Sequence, residues 1–173
     1  MQDIHSKHNE IFKIISQAGT DVGQPVYVVG GYVRDFFLER TKEGDLDIDF
    51  VTVGSGIKLA QKVAGLLDAQ KLSVFKRFGT AHIRYQGMDL EFVGARKESY
   101  RRNSRKPVVE DGTLEDDQLR RDFTINALSW SLNEESYGEL KDPFEGIQDL
   151  KKKLIRTPVD PLQTFDDDPL RMM

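Results

Sequence analysis

A short apolar strand that runs directly into two glycines and then a helical segment is the feature that most constrains how this chain can fold. Residues 26–29 are apolar and mostly β-branched, as expected of a buried strand, and Gly30 and Gly31 break that strand before a helix predicted over 32–40. A second strand, predicted over 46–53, alternates acidic with apolar side chains. The order strand, glycine turn, helix, strand indicates an α/β fold.

The remaining patterns predict further elements on both sides of this unit. Helices are predicted over residues 4–18 (ending near Gly19), 57–67, 119–128 and 147–153, strands over 72–75, 80–85 and 88–93, and short extended segments over 128–132 and 139–141. Short turns make the strands between 72 and 93 antiparallel neighbours. Residues 96–118 lack periodicity and are predicted to form a mobile loop. Thr164 resembles the N-cap of a last helix without a stop signal, so we expect the chain to be interrupted inside it.

Composition excludes several classes of protein. With 38% apolar and 31% charged residues among 173, the chain can bury a core under a solvated surface. The absence of cysteine excludes disulfide scaffolds, thiolate zinc sites and cysteine nucleophiles, and favours a reducing, cytoplasmic location. No segment approaches the roughly 18 apolar residues that span a bilayer, so no membrane partner is expected.

Carboxylates alternate with apolar side chains along the second predicted strand. Side chains at i and i+2 share a face, so Asp47 and Asp49 are expected about 6.6 Å apart along the strand. Ile48 and Phe50 then face the core. Such a pair can hold two Mg²⁺ ions about 4 Å apart, which activate an attacking hydroxyl and stabilise a leaving pyrophosphate. A solvated strand face is the more frequent explanation of an isolated pair of this kind. Asp45 would lie on the same face as Asp47 and Asp49, so the spacing leaves open which two of the three aspartates are ligands.

The glycine turn indicates an anion-binding site. Gly30 and Gly31 lie at the amino end of a predicted helix, where backbone N–H groups can meet a phosphate. Arg34, nearly one turn further, can add a bidentate contact to the same anion. A tight turn without a ligand is the alternative. The position just before the carboxylate strand favours a triphosphate, because triphosphate and metal must lie together in nucleotidyl transfer.

Further candidates lie on a neighbouring strand and a later helix. Glu91 is a candidate third carboxylate that can accept a proton or complete a metal shell, and Asp89 has the same parity. Arg121 can bind the triphosphate, Asp122 can accept a hydrogen bond from a ribose hydroxyl, and Asn126, one turn on, can hold the same region. An exposed strand glutamate and an ordinary surface charge pattern are the alternatives.

Five motifs, in this order, resemble those of the class II tRNA nucleotidyltransferases, the CCA-adding enzymes, and of related bacterial poly(A) polymerases. They are residues 30–35, 47–52, 120–127, 142–146 with 149–150, and 168–171. The resemblance runs from about Val26 to the last residue. It implies an α/β (α+β) nucleotidyltransferase head, with a mixed, mostly antiparallel sheet flanked by helices. We expect this head over residues 1–155, then a linker and the start of a truncated helical neck over 156–173.

The resemblance also implies an activity: addition of C and A to the 3′ end of tRNA from CTP and ATP, without a nucleic-acid template and with two Mg²⁺ ions. Asp47 and Asp49 match the metal ligands, which settles the ambiguity over Asp45 in favour of these two. Gly31 and Arg34 match positions that bind the nucleotide. No protein partner is implied.

The same family has a base-reading pair, which Asp168 and Arg171 match. A carboxylate and a guanidinium one helical turn apart can accept from the exocyclic amine shared by C and A and donate to their ring acceptors. By the same resemblance, Arg121 and Asp122 match the triphosphate and ribose contacts. Asp167 stands where the family usually has Glu.

The sequence departs from the family pattern in two further respects. Tyr32 replaces a residue that is often small, which would alter the pocket, and the family's helical neck, body and tail would lie beyond Met173.

Three other functions compete with CCA addition. A poly(A) polymerase shares nearly every motif, but residues 75–81 look more like the turn of tRNA enzymes. CC-adding or A-adding enzymes are closer, and the long loop over 96–118 favours full CCA addition. A non-catalytic nucleotide- or RNA-binding module is disfavoured because both strand aspartates are present.

The net charge of −4 hides an uneven distribution. Residues 96–106 contain six basic side chains, whereas residues 110–117 contain five acids and no base. Affinity for nucleic-acid phosphates comes from lysine and arginine, so we expect the basic run over 96–106 to approach RNA or triphosphate, with Arg101, Arg102 and Arg105 as the RNA-binding candidates. A solvated loop is the alternative.

Overall fold

The computed structural model describes residues 8–40, 46–101 and 104–172, with side chains for all of these except 98–101 and 104–109. The described residues form six α-helices: α1 (Asn9–Val22), α2 (Gly31–Phe37), α3 (Gly56–Leu67), α4 (Leu114–Leu119), α5 (Gly146–Lys152) and α6 (Pro161–Asp167). They also form nine strands: β1 (Val26–Val29), β2 (Leu46–Thr52), β3 (Leu72–Phe75), β4 (Thr80–Tyr85), β5 (Met88–Gly94), β6 (Arg96–Arg101), β7 (Ser104–Asp111), β8 (Ser129–Ser131) and β9 (Leu140–Lys141). Within these residues no helix is both long and apolar enough to cross a membrane.

Seven of these strands form one sheet in the order β3-β4-β5-β2-β1-β8-β9. Only β2 and β5 pair in parallel, and every other pairing in this sheet is antiparallel. The strands β6 and β7 form a separate two-stranded ribbon. The predicted α/β fold with a mixed, mostly antiparallel sheet is therefore confirmed, as is the antiparallel order of β3, β4 and β5.

The core lies on one face of this sheet, under α1 and α3. The alternation along β2 sends Ile48 and Phe50 into the core, where both are fully buried. Phe12 of α1 packs edge-on against Phe50, with ring centroids 6.0 Å apart, and Leu59 of α3 joins the same cluster. The aspartates that alternate with these apolar residues consequently lie on the opposite face of the sheet.

The first helix ends later than predicted. Gly19 lies inside α1, and the helix is closed instead by Gly23, which adopts a left-handed conformation with φ 68°. A Cβ on Gly19 would lie only 2.6 Å from a methyl of Val26. The absence of a side chain there lets α1 pack tightly against β1, so this glycine serves packing rather than termination. The predicted start of the helix, at residues 4–7, lies outside the described residues.

The predicted loop over 96–118 is wrong. Its described residues form the ribbon β6–β7 and the helix α4. Backbone hydrogen bonds between two strands need no alternation of apolar side chains, and the sequence over 96–106 has none, which is why apolar periodicity did not reveal the ribbon. Thr113 and Asp116 form a capping box that starts α4 five residues before the predicted helix over 119–128.

That predicted helix over 119–128 is also wrong. The helix α4 ends at Leu119, and only a 3₁₀ turn over Thr124–Asn126 follows. Phe123 is extended, and the backbone N–H of Thr124 donates to the carbonyl of Arg156 at 2.8 Å instead of to an earlier turn of a helix. A tertiary hydrogen bond thus overrides the local helical pattern.

Two smaller boundaries differ near the glycine turn and near the last helix. The helix α2 ends at Phe37, and Glu39 turns the chain with a positive φ of 55°. The N-cap of α6 is Asp160, whose carboxylate accepts from the backbone N–H of Leu162, so Thr164 is not the N-cap. Thr164 is instead a buried residue within α6.

Candidate nucleotide and metal site

Four carboxylates lie side by side on the face of the sheet opposite the core. The parallel pairing of β2 with β5 sets Asp47 opposite Asp89 and Asp49 opposite Glu91. Asp47 is exposed, whereas Asp49 and Glu91 are half-buried. The shared face of Asp47 and Asp49 follows the prediction, and so does the placement of both third-carboxylate candidates on the adjacent strand.

The next strand, β4, gives the two candidates different partners. His82 Nε2 lies 3.4 Å from a carboxylate oxygen of Glu91, and Arg84 Nη1 lies 3.5 Å from one of Asp89. A histidine is charged only when protonated, whereas an arginine always is. Asp89 is thus paired with a permanent cation in an exposed contact. Glu91 lies directly opposite Asp49, and its negative charge raises the pKa of Asp49 more than that of Asp47 does.

Asp49 has the most perturbed electrostatics of the group. Burial raises the pKa of Asp49 above its ordinary value, and the negative charges of Glu91 and Asp47 raise it further. The positive charges of Arg121 and His82 act in the opposite direction but are smaller than the effect of burial. The site therefore holds an excess of negative charge that a bound cation would relieve.

The donor set fits Mg²⁺. Among the described residues no group of three metal-ligating side chains converges on one point. Mg²⁺ in nucleotide sites is held by one or two carboxylates together with substrate phosphates and water, rather than by a closed protein cage. Asp47 and Asp49 supply hard oxygen ligands of that kind on an open face, so they are the residues that would hold the metal.

The glycine turn lies directly beside these carboxylates. Gly30 has φ 73° and ψ −134°, a conformation that only glycine adopts readily. A Cβ at Gly30 would lie 3.1 Å from Nη1 of Arg121 and 3.7 Å from a carboxylate oxygen of Asp49. The N–H of Gly30 donates to the carbonyl of Leu128 at 3.1 Å, so this group is not free for a phosphate as the sequence suggested. The turn contributes space next to Arg121 and Asp49.

A Gly30→Ala substitution is expected to impair nucleotide binding. The new methyl group would require strained backbone, costing about 1–3 kcal/mol of stability, and would press on Arg121. Gly23→Ala is the matched control, because Gly23 also has a positive φ, of 68°, but a methyl group there would meet no neighbouring atom within 4 Å. We expect both variants to lower the urea midpoint, and only Gly30→Ala to weaken CTP binding in calorimetry. Equal CTP affinities in the two variants would contradict this role of the turn.

Arg34 joins the glycine turn to the segment after α4. Its Nη1 donates to the side-chain oxygen of Asn126 at 2.7 Å, and its Nε donates to Asp35 at 2.8 Å. The amide nitrogen of Asn126 in turn donates to both oxygens of Asp122, at 3.0 and 3.2 Å. Arg34, Asn126 and Asp122, each proposed from sequence for nucleotide binding, thus form one continuous hydrogen-bonded row.

Arg121 lies at the junction of this row with the carboxylates. Its Nη1 donates to the backbone carbonyl of Asn126 at 3.2 Å, next to Gly30. Its Nε and Nη2 bind one oxygen of Asp117, at 3.2 and 3.0 Å. Asp117 is completely buried, and the sequence patterns placed it only among the acids of a predicted loop, so its role was missed. The signal was its spacing of three and four residues before two arginines, which is meaningful only if a helix capped by Thr113 precedes them.

A second buried carboxylate supports the turn that carries Asn126. Asp149 accepts from the hydroxyl of Thr124 at 2.6 Å and from Nε of Arg156 at 3.0 Å. Asp142 accepts from the backbone N–H groups at the start of α5, at 2.6 and 3.0 Å. The residues of the motifs over 142–150 are therefore structural in this fold, since they fix the 3₁₀ turn beneath the site.

The proposed base-reading pair lies on a separate segment. Asp168 follows α6, and Arg171 lies in the 3₁₀ turn Pro169–Met172, with Arg171 Nε 3.8 Å from an oxygen of Asp168. Arg171 also donates to the carbonyl of Thr164 at 3.5 Å. The two side chains are thus neighbours across one 3₁₀ turn. Tyr32 does not enter a pocket: its ring is buried against Phe12 and Trp130, at centroid distances of 5.6 and 6.4 Å.

Some sequence-based candidates lie outside what the structure describes. These are Asp45, Arg102, and the side chains of Arg101 and Arg105. Their proposed roles stay predictions.

Comparison with known sequences gives a consistent family. Residues 26–156 match the family described as the poly A polymerase head domain. The A-adding tRNA nucleotidyltransferase of Aquifex aeolicus (strain VF5) is 44% identical over 147 residues, which cover 85% of this chain and 17% of that protein. The CCA-adding enzyme of Lactobacillus helveticus (strain DPC 4571) is 36% identical over 161 residues, covering 92% of this chain and 37% of that protein.

Solved structures share the fold over nearly the whole chain. The apo form II of a CCA-adding enzyme superposes with a TM-score of 0.86 at 36% identity, covering 99% of this chain and 39% of that chain. The Thermotoga maritima CCA-adding enzyme complexed with tRNA gives a TM-score of 0.79 at 34% identity, covering 99% of this chain and 37% of that chain. This chain therefore spans less than half the length of these relatives. Because the family match covers well over half of its own residues, the chain belongs to the poly A polymerase head domain family.

Proposed function

We propose that this chain is the catalytic head of a tRNA nucleotidyltransferase, which adds C and A to the 3′ end of tRNA from CTP and ATP without a nucleic-acid template. The observation that carries the proposal is the junction at Arg121, where the row Arg34–Asn126–Asp122 meets the half-buried carboxylate Asp49. Cations and hydrogen-bond donors for a triphosphate lie there beside oxygen ligands for a metal. The names of the relatives support tRNA as the acceptor.

In this proposal the residues divide the work between binding and chemistry. Arg34 and Arg121 bind the triphosphate, and Asp122 with Asn126 orients the ribose. Asp47 and Asp49 would hold two Mg²⁺ ions, which when bound activate the terminal 3′ hydroxyl and stabilise the leaving pyrophosphate. The 3′ oxygen bonds to the α-phosphorus, the bond from that phosphorus to the β-phosphate oxygen breaks, and pyrophosphate leaves. Glu91, opposite Asp49, accepts the proton of the hydroxyl.

Glu91→Gln is expected to lower kcat for nucleotide addition by about a hundredfold, the scale of a lost general base. Asp89→Asn removes the alternative third carboxylate, which pairs with Arg84 in an exposed contact and lies opposite Asp47 rather than Asp49, and is expected to lower kcat less than about threefold. Single-turnover addition under saturating CTP measures both. A larger loss in Asp89→Asn than in Glu91→Gln would reverse the assignment.

Selection of C and A is assigned to Asp168 and Arg171. Their contact across one 3₁₀ turn supports a joint role, because a carboxylate accepts from an exocyclic amine while a guanidinium donates to ring acceptors. The basic side chains of Arg101, Arg102 and Arg105 are proposed to approach RNA. That role predicts RNA binding that weakens steeply with salt, and a reduced salt dependence when the three are neutralised.

Addition of A alone is the second candidate. It is favoured by the 44% identity to a relative named as an A-adding enzyme. The two activities differ in the nucleotides that they accept and in where addition stops.

The deciding experiment is nucleotide addition by the full-length protein to a tRNA transcript that lacks its 3′ CCA and to one that ends in CC. CTP and ATP are supplied separately and together, and Asp47→Asn is the control. Addition of C, C and A followed by a stop, absent in the control, supports CCA addition. Addition of a single A to the CC end only supports the second candidate. An unlimited A tail indicates a poly(A) polymerase, and Mg²⁺-dependent CTP binding without addition indicates a non-catalytic binding module, so either result overturns the proposal.

A further inference from the structure

One buried carboxylate binds two arginines beside the candidate site. Asp117, on α4, is 0% exposed. One of its oxygens accepts from Nε and Nη2 of Arg120, at 3.0 and 2.6 Å, and the other accepts from Nε and Nη2 of Arg121, at 3.2 and 3.0 Å. Burying a carboxylate is unfavourable unless it is paired and hydrogen-bonded, and here both oxygens have two donors each. Asp117 is therefore fixed in place by its surroundings.

The side chain of Arg121 also faces the candidate site. Arg121 is largely buried, with 17% of its side chain exposed, and the structure turns it toward the glycine turn and Asp49 rather than toward solvent. The guanidinium charge of Arg121 thus lies beside the residues proposed to bind a triphosphate and a metal.

The contacts of Arg121 fix the direction in which it can donate. A planar guanidinium held on two nitrogens by one carboxylate has its plane and its rotation determined. The third nitrogen, Nη1, donates to the carbonyl of Asn126 at 3.2 Å. Of the five N–H groups, three are used in these contacts with described residues, which leaves one on each terminal nitrogen.

We propose that Asp117 is the positioning residue of the site: it holds the Arg121 guanidinium so that its remaining N–H groups meet the phosphates of the incoming nucleotide. The inference rests on the proposed function in one respect, that Arg121 contacts the triphosphate. Asp117 itself touches neither substrate nor metal, since it is enclosed by the two arginines and completely buried.

A purely structural role for Asp117 makes a different prediction. It would lower thermal stability when removed, yet leave the phosphate affinity of the folded molecules unchanged. Leu59 on α3 provides the control, because it is fully buried in the core on the face of the sheet opposite the site. Leu59→Ala therefore lowers stability without touching Arg121 or the turn that carries Asn126.

The test uses the full-length protein and inorganic triphosphate as the ligand, with affinity measured by calorimetry in Mg²⁺ and melting temperature measured in parallel. We expect Asp117→Asn to weaken triphosphate binding about tenfold or more, the scale of a charge-assisted hydrogen-bonding geometry. Leu59→Ala is expected to weaken it less than about twofold, although it also lowers the melting temperature. In the double variant with Arg121→Ala, Asp117→Asn should weaken triphosphate binding no further than Arg121→Ala alone, since both substitutions remove the same contact between Arg121 and the phosphates. Wild-type affinity in Asp117→Asn, or effects that multiply in the double variant, would overturn the proposal.

Arg121→Lys keeps the test decisive if Asp117→Asn does not fold. Lysine retains the positive charge but cannot bind Asp117 and Asn126 with a rigid fork. We expect it to weaken triphosphate binding about tenfold. Wild-type affinity in this variant would show that a point charge suffices and would overturn the role of orientation.

Failure of this inference and failure of the proposed function are distinguishable. The calorimetric measurement needs no tRNA and no turnover, so the roles of Asp117 and Arg121 are tested even if no nucleotide is added. An unchanged affinity in Arg121→Ala would remove the assumed phosphate contact and overturn the inference, whereas addition of C and A by the same protein would leave the proposed activity intact.

Discussion

An Asp49→Asn variant is expected to lose nucleotide addition about a thousandfold or more while its fold becomes no less stable. The first effect follows from the loss of a metal ligand, since bound metal supplies several kcal/mol of charge stabilisation in the transition state. Single-turnover extension of tRNA and thermal unfolding of the same preparation measure the two effects. Loss of activity together with a lower melting temperature would point to damage to the fold instead.

The expected gain in stability follows from the direction of the pKa shift. Burial raises the pKa of Asp49 in the folded protein above its ordinary value, with Glu91 and Asp47 adding to the effect. A raised pKa means that the folded state favours the protonated carboxyl group. The stabilising contribution of this group is therefore fully present below about pH 3.9, the ordinary pKa in the unfolded chain, and is lost as the pH rises through the higher pKa of the folded protein. Asparagine removes the buried charge at neutral pH. Without metal, the melting temperature of Asp49→Asn should therefore equal or exceed that of the wild type.

Asp21 offers a control of opposite sign. A hydrogen bond from Lys62 holds the pKa of Asp21 below its ordinary value, and this carboxylate is on the surface of α1, away from the site. Its contribution to stability is present at neutral pH and is lost as the pH falls through its depressed pKa. Asp21→Asn is expected to keep full activity and to lower the melting temperature slightly, if at all.

Trp130→Ala is expected to lower the free energy of unfolding by about 3–5 kcal/mol, the range for truncation of a buried aromatic side chain. Trp130 is 1% exposed on β8, and its ring lies 4.7 Å from that of Phe36 and 5.7 Å from that of Phe37, measured between centroids. Both phenylalanines belong to α2, the helix that carries Arg34. Loss of the indole therefore loosens the helix that positions a nucleotide ligand, so CTP affinity should fall as well.

Urea unfolding and CTP calorimetry measure these two losses. Trp130→Phe keeps an aromatic ring and is expected to lose less stability, whereas Phe78→Ala removes a ring that is 62% exposed and should change stability by no more than about 0.5 kcal/mol. An unchanged urea midpoint in Trp130→Ala would contradict the packing of α2 on β8.

The sheet and its carboxylates were predictable because their signals are local. In β2, polar and apolar side chains alternate with a period of two residues. This pattern identifies the strand and the face of the sheet on which Asp47 and Asp49 lie. The glycine pair marks a turn for an equally local reason, the backbone conformation of Gly30. Sequence spacing therefore identified the strand and the turn, whereas the choice of Asp47 and Asp49 over Asp45 as metal-ligand candidates came from the family resemblance.

The segment between β5 and β8 was not predictable in the same way. The end of α4 and the 3₁₀ turn depend on contacts with distant residues, such as the hydrogen bond from Thr124 to the carbonyl of Arg156 and the one from Thr124 to Asp149. In the sequence Asp117 is one acid among five, and its role is recognisable only once the helix capped by Thr113 is known. Only the three-dimensional structure brings its carboxylate to Arg121.

The most direct test of the site is the binding of Mn²⁺, a paramagnetic substitute for Mg²⁺, measured by electron paramagnetic resonance with and without CTP. We predict that the wild-type protein and Asp21→Asn bind two Mn²⁺ ions when CTP is present, and that Asp47→Asn and Asp49→Asn lose this binding. Mn²⁺ binding in the two site variants that equals that of the wild type would contradict the assignment of Asp47 and Asp49 as metal ligands, and with it the central claim that this face of the sheet is a nucleotidyl-transfer site.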